Sequence, residues 1–354
     1  MDAFINDTQL IYDRFADEIS KAIFVDRLSY SLTGNLESLR RVIKTIPSGR
    51  EFLERLDEAV SAGRKICIFG SGIWGKSIFE SNPDVKFFCF VDNNIDKCGK
   101  ELKGIPVIHF NDWIEIKERM TIIIATRLHY KEIYLQLKEH QISNELIINA
   151  GKILDEATGI QYFDLPELKN NKTNDEVFVD TGAFDGQTSA MFVQWAEKYR
   201  KIFALEPEPK NREKCQERLK AIGAKYEILP FGAWDKRERL SFATGLNGGS
   251  HVSDSVYKEA EKRITIDADR LDNLIYERVS FIKMDIEGAE INALRGAEKT
   301  IKKYRPKLAI SVYHRKEDIW EIPKLILSYV PEYKLYLRHY SPFRDETVLY
   351  CIPQ

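Results

Sequence analysis

The sequence has no long apolar segment, few cysteines and almost no net charge. Its longest apolar runs, such as 87–91 and 122–125, are far shorter than the about 20 residues that span a bilayer. Five cysteines are scattered without a CxxC pair, which favours a reducing compartment. The first residues lack the basic and then apolar pattern of a secretory signal. We therefore expect a soluble, cytoplasmic protein without a membrane span.

The charges nearly cancel, with 53 Lys and Arg against 55 Asp and Glu. Such a chain produces no global field that would hold nucleic acid or an anionic membrane. An Asn/Asp-Pro-Pro-Tyr motif, typical of nucleic-acid methylation, is also missing from the sequence. We expect a small-molecule partner and no nucleic acid; a homo-oligomer is left open.

The length of 354 residues and the 44% of hydrophobic residues predict two packed domains with an appendage. Apolar residues at helical spacing predict a helical N-terminal segment over 1–63. Strands and helices then alternate over 64–150 and again over 177–354. This pattern predicts the α/β class, with two Rossmann-like doubly wound domains in tandem. Residues 151–176 are interpreted as a connector, and the polar run 169–176 as its linker.

The first domain carries a glycine-rich loop between a strand and a helix. Gly70, Gly72 and Gly75 have the spacing of a dinucleotide fingerprint, and Asp92 stands at the end of the next strand, where the acid of that fingerprint is found. The alternative is a turn that only lets helix and strand pack. The candidate nucleotide-binding residues are Gly70, Gly72, Trp74, Gly75, Asp92 and Asn93. NAD-dependent catalysis is disfavoured because no Tyr-x-x-x-Lys pair follows.

This domain resembles the small Rossmann-like domain of sugar acetyltransferases in surface-polysaccharide synthesis. The resemblance is carried by residues 90–94 (FVDNN) and 99–108 (GKELKGIPVI). It implies either a site for a nucleotide-linked sugar or a scaffold without a ligand.

The second domain opens with a different loop, in which Asp180, Gly182 and Gly186 are spaced as DxGxxxG and Asp185 adds a second acid. Carboxylates at this place would repel a pyrophosphate and suit a cationic ligand such as S-adenosylmethionine. Glu206 follows the loop at the end of the next strand, where an acid can bind ribose hydroxyl groups. The alternative is a structural turn and a solvated acid.

A third acidic group follows the strand predicted at 281–284. Asp285, Glu287 and Glu290 lie at a strand-to-helix junction. They could be ordinary acids of a first helical turn, favoured by the helix dipole. Asp285, at the strand tip, has better access to the cleft.

Together these motifs resemble the FkbM family of S-adenosylmethionine-dependent methyltransferases over about residues 160–352. The resemblance rests on residues 178–189, 205–207, 231–235, 265–267, 282–290, 296–297 and 305–306. It implies a class I methyltransferase fold with Asp285 and Glu287 in the reacting region. The cofactor contacts that it implies, with their neighbours in the same motifs, are Asp180, Thr181, Gly182, Phe184, Asp185, Gly186, Thr188, Glu206, Pro207, Ala233 and Trp234. Many relatives carry a Glu after the fifth strand, where this chain has residues 311–314 (SVYH).

Methyl transfer to a sugar hydroxyl needs a base to take its proton. His314 is the first candidate because imidazole titrates near neutrality, and Asp285 is the second. His251 and His339 are candidate substrate-binding residues. Asp285, Glu287 and His314 also offer ligands for a divalent metal, which the sequence leaves open but does not predict. Residues 162–164 could line the substrate or dock the domains.

The favoured interpretation is an O-methyltransferase that acts on a hydroxyl of a sugar or sugar-derived acceptor, which could be nucleotide-linked, in the biosynthesis of polysaccharides or natural products. One alternative is an NAD-dependent sugar-nucleotide oxidoreductase or epimerase that uses the first domain. Another is a non-catalytic module of glycan assembly.

Overall fold

The computed structural model describes residues 2–244 and 262–354. They form two compact units. The large unit combines the chain up to Leu28 with Tyr162–Arg338 and Thr347–Gln354, and the small unit combines Ser29–Gln161 with His339–Glu346. In the described part of the chain, no helix is long and apolar enough to cross a membrane.

Helices form the N-terminal segment, as the apolar spacing predicts. Leu39, Val42 and Ile43 are buried on one face, and the Asn35 side chain accepts hydrogen bonds from backbone N–H groups at the start of the third helix. The helices are α1 (Asp2–Arg14), α2 (Glu18–Thr33), α3 (Leu36–Ile43) and α4 (Pro47–Ser61).

The small unit contains a six-stranded sheet with strand order β3-β4-β2-β1-β5-β6. β3 pairs antiparallel with β4, and the other neighbouring strands pair in parallel. Its elements are β1 (Lys65–Phe69), α5 (Ile73–Ser81), β2 (Phe87–Asp92), β3 (Glu101–Leu102), β4 (Ile105–His109), α6 (Phe110–Ile116), β5 (Met120–Ile124), α7 (Tyr130–Glu139), β6 (Ile147–Ile148) and α8 (Ala150–Thr158).

The large unit contains a seven-stranded sheet with strand order β15-β16-β14-β13-β7-β8-β9, and β16 runs antiparallel to β14. Both sheets confirm the α/β class and its two doubly wound sheets. The elements are α9 (Pro166–Asn170), β7 (Glu176–Thr181), α10 (Gln187–Ala196), β8 (Tyr199–Leu205), α11 (Pro209–Ala221), β9 (Tyr226–Leu229), β10 (Gly232–Ala233), β11 (Glu238–Thr244), β12 (Lys262–Asp269), α12 (Leu271–Leu274), β13 (Phe281–Met284), α13 (Glu290–Gly296), α14 (Glu298–Tyr304), β14 (Lys307–Ser311), α15 (Asp318–Tyr329), β15 (Lys334–His339) and β16 (Thr347–Ile352). β10, β12 and β11 form a separate small sheet.

The helical segment predicted over 1–63 is divided between the two units. Its first part packs in the large unit, where Asp17 forms an ion pair with Arg338 at 2.7 Å. Ser20 is fully buried, and its hydroxyl accepts a hydrogen bond from the Leu337 N–H at 2.8 Å. These contacts join the start of the chain to β15, near its other end, so no local sequence pattern reports them.

The interpretation of 169–176 as a linker was wrong at both ends. Residues up to Asn170 belong to α9, and Glu176 begins β7. Glu176 is fully buried and pairs with the Lys307 ammonium of β14 at 2.7 Å. A buried carboxylate needs a partner of opposite charge, and that partner comes from a strand much later in the chain.

Candidate active site

The loop between β7 and α10 is shaped by two glycines in the left-handed region. Gly182 has φ +79°, and a Cβ atom there would lie 2.1 Å from the Asp285 carbonyl oxygen. Gly186 also has φ +79° and directly precedes α10. Only glycine tolerates both this conformation and this approach, so the loop is held against the end of β13.

Glu206 follows β8 and faces this loop. Its carboxylate accepts hydrogen bonds from the Phe184 N–H at 2.9 Å and from the Glu208 N–H at 2.8 Å. The residue is 5% exposed, and burial raises the pKa of Glu206 to about 7. A carboxylate can accept about four hydrogen bonds, so this one keeps capacity for a ligand's hydroxyl groups. This environment fits the ribose-binding role that the sequence predicts.

Asp180 lies below the loop and does not reach the cleft. It is fully buried, accepts a hydrogen bond from the Ser189 hydroxyl at 2.7 Å and pairs with the Lys283 ammonium at 3.1 Å. Lys283 also donates to the Gly182 carbonyl at 2.9 Å. The pairing with Lys283 disfavours the prediction that the Asp180 charge attracts a cationic cofactor, and a cofactor contact of Asp180 stays a prediction.

Asp185 is likewise occupied by the protein itself. One carboxylate oxygen lies 2.6 Å from the Arg218 guanidinium, and the other accepts the Gln187 N–H at the start of α10. Its role is to hold the helix and the loop together. Each acid of the loop thus has a protein cation as its partner, which weakens the argument for a cationic cofactor, and cofactor contacts of both acids stay predictions.

The other predicted cofactor residues lie in or near the loop and differ in how far they are buried. Trp234 is half-buried and donates from its indole nitrogen to Glu238 at 2.5 Å. Its carbonyl approaches Gly296, where a Cβ atom would lie only 1.9 Å away. The remaining ones are Thr181 and Ala233, which are buried, Thr188 and Pro207, which are half-buried, and Phe184, which is 36% exposed.

The carboxylate of Asp285 stands at the carboxyl end of β13, beside Gly182. It accepts hydrogen bonds from the Tyr162 hydroxyl at 2.9 Å and the Tyr313 hydroxyl at 3.3 Å. Burial raises the pKa of Asp285, but Lys283, His314 and the Tyr162 hydroxyl outweigh it and lower the pKa below its usual range. Its side chain is 25% exposed, so this group is both ionised and reachable from the cleft.

His314, after β14, is surrounded by three carboxylates. Its Nε2 lies 3.4 Å from Asp285 and 3.6 Å from Glu287, and its Nδ1 lies 3.0 Å from Glu290. Burial lowers the pKa of His314, yet the three acids raise it well above its ordinary value. An imidazolium has no free lone pair with which to take a proton. In this arrangement the general-base role predicted for His314 is disfavoured, and Asp285 is the better proton acceptor.

The two remaining acids of the junction differ in exposure. Glu290 is fully buried and accepts the Ile286 N–H at 2.9 Å. It is therefore more than an ordinary acid of a first helical turn. Glu287 is 31% exposed and adopts φ +55°, which is rare for a residue with a side chain. This strained conformation turns its carboxylate towards His314.

The two histidines predicted to bind substrate have different outcomes. His251 lies outside the described residues. His339 is buried in the small unit, and its Nε2 lies 2.9 Å from the Phe343 carbonyl oxygen. This contact lies in the turn between β15 and β16, and the enclosure of the ring disfavours substrate binding by His339, which stays a prediction.

The first glycine loop is described within the small unit. Gly70 has φ +113°, and Gly75 lies so near the Gly70 carbonyl that a Cβ atom would be 2.0 Å from it. Asp92 accepts from the Ser71 N–H at 3.0 Å and hydroxyl at 2.6 Å, and lies 3.2 Å from the Lys97 ammonium. The predicted ribose acid is thus bound to its own loop, which favours the packing alternative.

The other predicted residues of this loop make contacts of their own. Gly72 precedes α5 in an extended conformation. Trp74 lies 6.3 Å from the Phe343 ring, centroid to centroid. Asn93 exchanges hydrogen bonds with the Gln136 side chain. Nucleotide binding by this loop stays a prediction.

Sequence reasoning missed the roles of Lys283, Glu290 and Tyr162. Lys283 stands between apolar neighbours in a buried strand, and it is paired in register with Asp180 of β7. A charge inside an apolar strand is a signal for a buried ion pair. Tyr162 gives no such signal, because its contact with Asp285 depends on how the connector returns to the sheet.

Two family models match the chain, one in each of the two predicted domains. Residues 180–340 match the methyltransferase FkbM domain, and residues 62–148 match a family described as C2185-like, N-terminal. The 2-O-methyltransferase NoeI of Sinorhizobium fredii (strain NBRC 101917 / NGR234) is 24% identical over 183 residues, which cover 46% of this chain and 73% of that protein.

Solved structures also align with the chain. The methyltransferase FkbM from Methylobacillus flagellatus KT has a TM-score of 0.47 and 20% identity, and the match covers 86% of this chain and 99% of that one. Aeropyrum pernix fibrillarin in complex with S-adenosyl-L-methionine has a TM-score of 0.36 and 12% identity, with 56% and 74% covered.

The family match confirms the resemblance on which the second domain was interpreted, while the acetyltransferase resemblance of the first domain stays a prediction. Residues 180–340 match the methyltransferase FkbM domain, and the protein is an S-adenosylmethionine-dependent methyltransferase.

Proposed function

We propose that the protein methylates a hydroxyl group of a sugar or sugar-derived acceptor, with Glu206 holding the cofactor ribose and Asp285 taking the proton of the acceptor. The observation that carries this proposal is the contact between the two halves of the site. The Asp285 N–H donates to the Thr181 carbonyl at 3.2 Å, and no side chain fits between Gly182 and the Asp285 carbonyl, so the cofactor loop and the proton acceptor are held at one edge of the sheet.

The cofactor supplies an electrophilic methyl group on a sulfonium. The residues suited to hold it are Glu206, for the ribose hydroxyls, and the loop from Thr181 to Phe184. Positioning is the main task in such a displacement, because little other chemistry is required of the protein. The fixed left-handed glycines and the Lys283 ammonium beneath them provide this rigidity.

A sugar hydroxyl is a weak nucleophile at neutral pH and must lose its proton as it reacts. Asp285 is ionised, partly exposed and held by two tyrosine hydroxyls, which fix its orientation. Glu287 lies on the same side of His314 and is more exposed, so it can pass a proton on to water. These two carboxylates are the proton acceptors that the site offers.

Transfer to an oxygen is supported by the relative NoeI, whose name describes a 2-O-methyltransferase, and the sugar class of the acceptor is the prediction from the sequence. The roles in polysaccharide biosynthesis and in the cytoplasm are predictions from the sequence that go with it. The NAD-dependent alternative in the small unit is less favoured, because Asp92 is already bound by Ser71 and Lys97.

Calorimetric titration of the purified protein with S-adenosylhomocysteine, NAD and nucleotide sugars tests the proposal. We expect S-adenosylhomocysteine to bind, and Glu206→Ala to weaken that binding while the fold is retained. The exposed acid Glu197 provides the control Glu197→Ala. Binding of NAD without S-adenosylhomocysteine would refute the proposal and move the site to the first glycine loop. Heat from a nucleotide sugar would identify the class of acceptor.

A further inference from the structure

Asp285, Glu287 and His314 meet where β13 and β14 end. We propose that these three side chains bind one divalent cation, with Glu290 as the carboxylate that supports His314 from behind. The sequence left a metal open without predicting it, and the geometry now favours one. The role of this cation in orienting the acceptor oxygen rests on the proposed function; its binding does not.

The distances around His314 Nε2 are those of ligands that share an ion. Nε2 lies 3.4 Å from Asp285 Oδ1 and 3.6 Å from Glu287 Oε2. A hydrogen bond between charged groups would be shorter, about 2.7–2.9 Å. Two donors that each lie about 2.1 Å from one tetrahedral ion are themselves about 3.4 Å apart. Each of these two oxygens therefore lies from Nε2 at about the separation of two ligands of one ion, and neither lies at the distance of a charged hydrogen bond.

The imidazole is also buried without a hydrogen-bonding partner for this nitrogen. The His314 side chain is 9% exposed, and within the described ranges 2–244 and 262–354 neither Nε2 nor Nδ1 makes a hydrogen bond of acceptable geometry. A buried polar atom that is left unsatisfied costs free energy comparable to a lost hydrogen bond. A cation between Nε2 and the two carboxylates would remove this cost and neutralise their charges.

The opposite nitrogen of the ring has the environment of a metal-ligating histidine. Nδ1 lies 3.0 Å from Oε1 of Glu290, which is fully buried and is itself held by the Ile286 N–H. Ligating histidines usually have such a carboxylate behind the ring. Here the contact is an ion-pair distance and not a hydrogen bond of acceptable geometry, so Glu290 supports the ring through its charge. The ligand atoms offered by Asp285, Glu290 and His314 lie within 4.8 Å of one another.

The donor set indicates the class of cation. One imidazole nitrogen with carboxylate oxygens suits Mn²⁺ or Zn²⁺, whereas Mg²⁺ prefers oxygen ligands alone. Asp285 and Glu287 are 25% and 31% exposed, so the cation would keep positions open towards the cleft. An acceptor hydroxyl could occupy such a position, and a neighbouring hydroxyl of a sugar a second one.

Titration of chelator-treated full-length protein with MnCl₂ tests the proposal, followed by calorimetry and by electron paramagnetic resonance of the bound ion. We expect one Mn²⁺ per chain. His314→Gln should abolish this binding, and Glu290→Gln should weaken it about 10- to 100-fold, since it removes the carboxylate behind the ring. The exposed His129 supplies the matched control His129→Gln, which should bind as the wild type does.

S-adenosylhomocysteine affinity is measured for every variant in parallel, as a check on the fold. If His314→Gln fails to bind it, Glu290→Gln and Asp285→Asn decide the outcome. The cation site is refuted if neither Mn²⁺ nor Zn²⁺ binds saturably, or if these variants bind them as the wild type does. If the wild type binds S-adenosylhomocysteine but no cation, the cation site is refuted and the proposed function stands. If the wild type does not bind S-adenosylhomocysteine, the proposed function is refuted.

Discussion

We expect cofactor binding to depend on pH, because the carboxylate of Glu206 is buried. Burial raises its pKa to about 7, so roughly half of the molecules carry a protonated Glu206 at that pH. Ribose hydroxyls donate best to the ionised form. If only that form binds, the dissociation constant of S-adenosylhomocysteine should be about tenfold larger at pH 6 than at pH 8.

The test is calorimetric titration with S-adenosylhomocysteine at pH 6, 7 and 8, using the wild type, Glu206→Gln and Glu197→Gln. Glu197 is 78% exposed and serves as the control acid. Glu206→Gln should bind about 10- to 100-fold more weakly at pH 8, as expected for the loss of charged hydrogen bonds. Its affinity should vary little with pH. Because Glu206→Gln lacks the titrating carboxylate, any pH dependence that it retains comes from titration of other groups, including those of S-adenosylhomocysteine itself.

The same shift predicts how stability changes with pH. An acid whose pKa is raised on folding contributes stability that is present below its unfolded pKa of about 4.5 and is lost as the pH rises through about 7. Between pH 5 and 8 the wild type should lose about 2–3 kcal/mol more free energy of unfolding than Glu206→Gln. Parallel pH profiles of the two proteins, in binding and in urea denaturation, would refute the reasoning.

Three further predictions concern the groups beneath and beside the loop. Lys283→Met leaves the Asp180 charge buried and unpaired, so we expect the free energy of unfolding measured by urea denaturation to fall by about 3–5 kcal/mol. Adding Asp180→Asn to the same chain should partly restore it, and a double variant without such rescue would argue against the pair. Gly182→Ala should lower the free energy of unfolding by about 3 kcal/mol or more. Gly223→Ala, in the same left-handed region but with open space around it, should lower it by about 1–2 kcal/mol. Equal denaturation midpoints of the two variants would contradict this expectation. Tyr162→Phe removes a hydrogen bond to a carboxylate and should cost about 1.5–3 kcal/mol without changing S-adenosylhomocysteine affinity more than about twofold; a larger change would place its hydroxyl on the cofactor.

Much of the fold is predictable because its signals are local. Short apolar strands, glycine loops and amphipathic helices recur in order, and each depends on residues that are near in sequence. The residues at the ends of β7, β8 and β13 could be placed at one edge of the sheet for the same reason, since parallel strands bring their carboxyl ends together. Glu206 and Asp285 were identified in this way.

The charges of the site could not be assigned by such reasoning. Asp180 and Asp185 were expected to face a cationic cofactor, and the structure adds that they form ion pairs with Lys283 and Arg218. Whether an acid is free depends on which strand or helix packs against it. The neighbour of Asp180 belongs to β13, a strand far along the chain, in a sheet whose strand order no local motif specifies.

By itself, the sequence determined the α/β class, the two glycine loops and the family of the second domain, because all three depend on short segments with fixed spacing. Only the tertiary structure decided that the chain up to Leu28 packs with the large unit, that His314 lies among three carboxylates and that Glu206 is buried. Burial and ion pairing are properties of distant residues brought together, and those are the terms that set a pKa or form a cation site.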